Sequence, residues 1–233
     1  VTAARRLRLE ALVAPGERGA VQRGAALLAH ALSAADRTEW AVEYAYPATR
    51  ADMAPGPAAV VASLLGEVAR FEEDWGACEA RLRETYRRLC GDPARPVYLF
   101  TVLRHVPAAV PRRMEILVRI RRLNLLAALL SHELGLLVVD IDRDLADIGA
   151  RTLATDFRLG GPAAARAAAK SLAMTLLLAG LDETVPFALQ EAARGLIRPL
   201  QALPAVSAHR RRGFIGPSGR QIRAGRVSQV AMG

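Results

Sequence analysis

Two apolar runs, PVYLFTVL at residues 96–103 and LLVVDI at 136–141, bracket a helical segment at 111–134, and that order leaves little choice of fold. Runs that are apolar at nearly every position belong to strands covered on both faces. Two such strands joined by a helix-length connection run parallel, because antiparallel neighbours need only a short turn. Pro111 suits the first turn of the intervening helix and Gly135 its end. The alternation begins earlier in the chain. Residues 7–13 (LRLEALV) read as a first strand that ends at Ala14-Pro15-Gly16, and 19–32 as a helix with Val21, Ala25, Leu28 and Leu32 at helical spacing. Residues 41–46 (AVEYAY) alternate and are rich in β-formers, which predicts a second strand.

A proline-rich loop at 47–57 leads into a segment, 58–89, that reads as one long helix interrupted near Trp75-Gly76. Glu79 with Arg83, and Glu84 with Arg87 and Arg88, stand at spacings that mark exposed helix faces. An Ala/Leu helix follows at 162–180, entered through Gly160-Gly161-Pro162, and a last helix is predicted at 187–200. The expected fold is α/β: a three-layer α/β/α domain on a flavodoxin-like parallel sheet of four to five strands. Four strands are evident and a fifth is not.

At 233 residues the chain holds one core, expected at 1–182, with a C-terminal helix and an arginine-rich tail at 183–233. With 52% hydrophobic and 24% charged residues, global disorder is excluded. The formal charge of +9 is uneven: residues 209–226 carry Arg210, Arg211, Arg212, Arg220, Arg223 and Arg226 without one acid. Such a tail suits an acidic protein or an anionic membrane surface. Nucleic acid is not expected as a partner, since the core shows no basic stripe with interleaved aromatics. Cys78 and Cys90 match neither a metal motif nor a disulfide framework, and reduced cysteines favour the cytoplasm. No apolar run reaches the length of a membrane span, and the N-terminal segment is too charged for a signal peptide.

In such a sheet, chemistry sits on the loops behind the strand ends. Arg104 and His105 close the run at 96–103, where a cation and an imidazole either face a substrate carboxylate, phosphate or sugar ester or make local hydrogen bonds at the strand end. Asp140 and Asp142, placed on one face by the strand period, join Asp144 and Asp147 in a carboxylate cluster. That cluster can be read as a hard-cation site, or as charges neutralised by Arg143 and Arg151. Asp156 and Arg158 flank the last loop as an acid–base relic, an ion pair or a helix-capping carboxylate. Glu17 and Arg18 follow the first strand. His132 complements a helix end and His30 lies on an amphipathic surface; Ser131 beside His132 diverges from it on the helix. Neither a metal nor a cofactor is expected.

The block at 121–169 carries Asn124 on its helix, a strand ending in Val139-Asp140 and a D-x-R-L loop at Asp156 before the last long helix. It resembles the closing block of the SGNH/GDSL hydrolase family, and the order of elements over 7–181 resembles that family as a whole. The resemblance implies hydrolysis of ester (acyl) bonds, of a glycan or a lipid. Members close with an Asp and, three residues later, a His that activates a serine in a Gly-Asp-Ser motif after the first strand. Here Leu159 stands at the histidine position, Gly16-Glu17-Arg18 at the nucleophile motif, and Leu103-Arg104-His105-Val106 where the family has Gly-x-Asn-Asp. The resemblance therefore implies a non-standard catalytic set, and the residues on the loops put forward His105 and Asp156 as its catalytic groups. Glu17, Arg18, Arg104 and Arg158 would contact a small-molecule or glycan ester. The alternative is a catalytically inactive relative that serves as a binding or assembly module.

Overall fold

The computed structural model describes residues 4–56, 58–92 and 95–197. The arginine-rich tail, with its six arginines, lies outside the described residues. Five parallel strands form one sheet in the order β2-β1-β3-β4-β5: β1 (Arg5–Leu12), β2 (Trp40–Ala45), β3 (Ala59–Ser63), β4 (Val97–Phe100) and β5 (Leu137–Val139). This is the flavodoxin-like order expected from the sequence, with its switch point between β1 and β3.

The two faces of the sheet are covered separately. One face packs under α1 (Arg18–Asp36), α5 (Ile141–Ile148), α6 (Pro162–Leu178) and α7 (Phe187–Leu196). The other packs under α2 (Leu65–Val68), α3 (Trp75–Leu89) and α4 (Arg113–Leu134). Strand periodicity divides β1 between them: Leu7, Leu9 and Ala11 point to the first face and Leu12 to the second. β4 has no polar position and all four of its residues are buried.

Helix α1 buries Val21, Ala25, Leu28 and Leu32, the spacing read from the sequence. Its partner α6 is alanine-rich because the two approach closely: a Cβ on Gly24 would lie 3.2 Å from the Ala169 carbonyl oxygen. Small side chains thus do the packing that few aromatics are available to do. Helix α4 ends at Gly135, whose positive φ of 71° and N–H bond to Ser131 O (3.0 Å) make an αL cap. Asp74 opens α3 by accepting the Ala77 N–H at 3.0 Å.

The long helix expected at 58–89 is instead a strand, a single helical turn and a helix. Ala58, Ala59 and Ala62 favour helix locally, but the Val60-Val61 pair lies between β1 and β4 with both faces covered, so the ladder outweighs propensity. This is the fifth strand that the sequence did not reveal. Pro111 falls in the turn before α4, which starts at Arg113. The strand expected at 136–141 stops at Val139, because Asp140 caps α5 by accepting the Arg143 N–H at 3.2 Å. Asp142 therefore sits in a helix, not beside Asp140 on one strand face.

Candidate active site at the carboxyl ends of the strands

Four loops meet beyond the carboxyl ends of β1, β3, β4 and the α5–α6 connection. After β1, a 3-10 turn (Pro15–Glu17) folds Glu17 inward until it is only 3% exposed. One carboxylate oxygen, Oε2, accepts the Ala14 N–H at 2.9 Å. The other, Oε1, accepts the hydroxyl of Ser63, the last residue of β3, at 2.7 Å. Ser63 Oγ in turn accepts the Leu65 N–H at 2.9 Å, which fixes its rotamer. A buried carboxylate and a partly buried serine are thus hydrogen-bonded across the switch point of the sheet.

Burial pushes the Glu17 carboxyl up to about 7, against the Ser63 and Ala14 hydrogen bonds that pull it down. The folded state holds this proton more tightly than the unfolded chain does. Its contribution to stability is therefore complete below the ordinary value of 4.5 and is lost as pH rises through about 7. Replacing Glu17 by Gln removes that dependence. Between pH 4.5 and 8, urea unfolding should show the wild type losing about 3 kcal/mol relative to Glu17→Gln. A difference that does not change with pH would contradict it.

The β4 end is tied down by neighbours on both sides. Thr101 Oγ1 accepts the Asp142 N–H at 3.0 Å and donates to Asp140 Oδ1 at 3.1 Å. The Asn124 side-chain amide pairs with Val102 as a strand would, with both bonds at 2.8 Å. Asp142, 7% exposed, accepts the Arg104 N–H at 2.8 Å and pairs with its guanidinium. Arg104, His105, Arg121 and Asp142 line a cavity of about 370 Å³ whose remaining wall includes Leu103 and Leu117. Arg121 was not singled out from the sequence, where it is one of several helix-surface arginines.

The loop before α6 closes over this arrangement. Phe157 N–H donates to His105 O at 2.8 Å, and Leu159 takes a positive φ of 60°. Gly16 packs so closely on the same loop that a Cβ would lie 2.5 Å from the Arg158 carbonyl oxygen. Asp156 accepts the Arg158 N–H at 2.9 Å, and their side chains pair at 3.5 Å. It does not cap α6, whose first flanking residue is Gly161; the ion-pair reading holds and the capping one does not.

Of the residues singled out from sequence, Glu17, His105, Asp156 and Arg158 are carried on loops that touch one another. Arg18 stacks on Tyr46, with its guanidinium 5.0 Å from the ring, beyond the edge strand β2. Among the described residues no imidazole hydrogen-bonds a serine hydroxyl or a thiol; His30 and His132 lie exposed on α1 and α4. Ser63 was missed because the segment around it reads as helix. Its signal was a β-branched pair followed by a hydroxyl.

The carboxylate cluster at Asp140, Asp142, Asp144 and Asp147 does not assemble a metal site. Asp140 caps a helix and Asp142 pairs with Arg104. Among the described residues only Glu67, Glu73 and Cys78 bring ligand atoms within 4.8 Å of one another. Arg81 holds both carboxylates, at 2.6 and 2.9 Å, so their charge is already met. Cys78 is buried and Cys90 partly buried, both as free thiols. No helix among the described residues is long and apolar enough to cross a membrane.

No protein-family model matches the chain, and no curated protein does. Two solved structures are similar to it. Phospholipase A1 from Streptomyces albidoflavus NA297 is 12% identical, with a TM-score of 0.38 over 78% of this chain and 100% of that one. An extracellular lipase from Streptomyces rimosus is 16% identical, with a TM-score of 0.34 over 63% of this chain and 83% of that one. At such distance they assign no residue and no activity here.

Proposed function

We propose that the chain is an ester hydrolase with a non-standard catalytic set, in which Ser63 is the nucleophile and Glu17 its base. The observation that carries this reading is the 2.7 Å hydrogen bond from the Ser63 hydroxyl to the buried Glu17 carboxylate at the sheet's switch point. A carboxyl raised to about 7 is half ionised near neutral pH, which suits it to take and return a proton.

The step balances with these two groups. Ser63 Oγ attacks the ester carbonyl carbon while its proton passes to Glu17. The bond to the alcohol oxygen then breaks, and Glu17 returns the proton to the leaving oxygen. Water, deprotonated by the same carboxylate, releases the acid and restores Ser63. Arg158, on the loop packed against Gly16, supplies a cation for the developing oxyanion. Arg104, His105 and Arg121 bind the polar part of the substrate in their cavity. The catalytic role expected of His105 from its place behind β4 passes in this reading to Glu17, and Asp156 serves to position Arg158.

Purified protein should hydrolyse nitrophenyl esters of short acids at a rate proportional to enzyme, and His105→Ala should raise KM about tenfold with kcat little changed. The absence of an imidazole on any described hydroxyl favours the second reading, an inactive domain that binds in the same cavity. Protein that binds such esters without turning them over would establish that alternative.

A further inference from the structure

The crossover from β2 to β3 is built unlike the others. Helix α1 joins β1 to β2, α2 and α3 join β3 to β4, and α4 joins β4 to β5. Between β2 and β3 there is only a 3-10 turn, Arg50–Asp52. Because β1 lies between β2 and β3 in the sheet, this thin connection must cross β1 on the α3 face. The underlying strand is correspondingly polar there. Arg8 donates to the carbonyls of Ala54, Pro55 and Gly56 at 2.9–3.1 Å. Glu10, 1% exposed, accepts the Ala54 N–H at 2.9 Å and pairs with Arg95 at 3.4 Å.

The crossover is thus clamped over Arg8 and Glu10, and the space that a helix would fill beyond them is left as a groove of about 760 Å³. That volume lies within the range of small-molecule sites, roughly 300–1,000 Å³. Leu12, Met53 and Leu89 give it an apolar lining, and Arg50, Arg88, Arg95 and Asp92 line it as well. Arg95 pairs with Glu10 at 3.4 Å and with Asp92 at 3.2 Å. Arg88 is held by Glu84 at 2.7 Å. The Arg50 guanidinium has no hydrogen-bond or ion-pair partner among the described residues, so an apolar body with one anionic end meets both features.

We propose that this groove binds a medium-chain carboxylate, with its chain on Leu12, Met53 and Leu89 and its head on Arg50. The site is separate from Ser63 and Glu17, and the proposal does not rest on the ester-hydrolase reading. Calorimetric titration with dodecanoate, below its micelle concentration, tests it on the full chain. Saturable binding is expected, at least tenfold weaker in Arg50→Glu and for dodecylammonium. Ala51→Trp and Thr85→Trp, which fill the groove from the crossover and from α3, should each weaken it by the same factor or more. Circular dichroism confirms that the variants are folded. No saturable binding, equal affinity for dodecylammonium, affinity unchanged in Arg50→Glu, or affinity unchanged in either filled variant would overturn the proposal.

Discussion

Ser63→Ala should lower kcat and kcat/KM for nitrophenyl esters together, by on the order of 10³-fold or more, with KM nearly unchanged. A nucleophile acts in the bond-making step and not in ground-state binding, so its removal leaves affinity and takes turnover. Glu17→Gln should cost about 10²–10⁴-fold, the range of a lost general base, and should flatten the rise of rate with pH around 7. Ser63→Cys keeps a nucleophile at the same atom and should retain acyl-enzyme formation. Because Ser63→Ala leaves Glu17 short of a partner, a stability loss of about 1–3 kcal/mol is expected alongside. Thermal unfolding separates that loss from the kinetic effect. A Ser63→Ala protein that stays folded and turns over ester at the wild-type rate would remove Ser63 from the chemistry.

The second large effect is expected at Gly16. A methyl group there would meet the Arg158 carbonyl oxygen at 2.5 Å, and backbone cannot rotate aside as a side chain does. Gly16→Ala must therefore push apart the turn that carries Glu17 and the loop that carries Asp156 and Arg158. Overpacking of this kind costs about 2–3 kcal/mol. Gly195→Ala is the control, since its Cβ would meet nothing within 4 Å. It should leave stability unchanged or raise it by up to about 1 kcal/mol, as alanine does in a helix. Equal stability of the two variants in urea would show that the closing loop does not rest on Gly16.

What could be read from the sequence follows the range of the forces involved. β4, α1 and α4 are visible because continuous or periodic apolar residues set their own burial, and Gly135 marks a helix end that only a positive φ requires. β3 is hidden because Ala59 and Ala62 carry no local strand preference; the strand exists through pairing with β1 and β4, distant in sequence. The site was half legible for the same reason. Arg104 and His105 announce themselves as polar residues after an apolar run. The Glu17–Ser63 contact spans 46 residues and depends on a strand that the sequence does not reveal. A cation-site reading of Asp142 needs it on one strand face with Asp140, and the capping bond to Asp140 instead puts it in a helix facing Arg104.

Mass spectrometry of the protein after reaction with an alkyl fluorophosphonate bears most directly on the Ser63–Glu17 dyad. Such a reagent phosphonylates a serine only where a base takes the hydroxyl proton, and it reports on chemistry without knowledge of the natural ester. One adduct is expected, on the peptide that carries Ser63, absent from Ser63→Ala and slower to form in Glu17→Gln. An adduct on another residue, an adduct that persists in Ser63→Ala, or none at all would contradict the assignment.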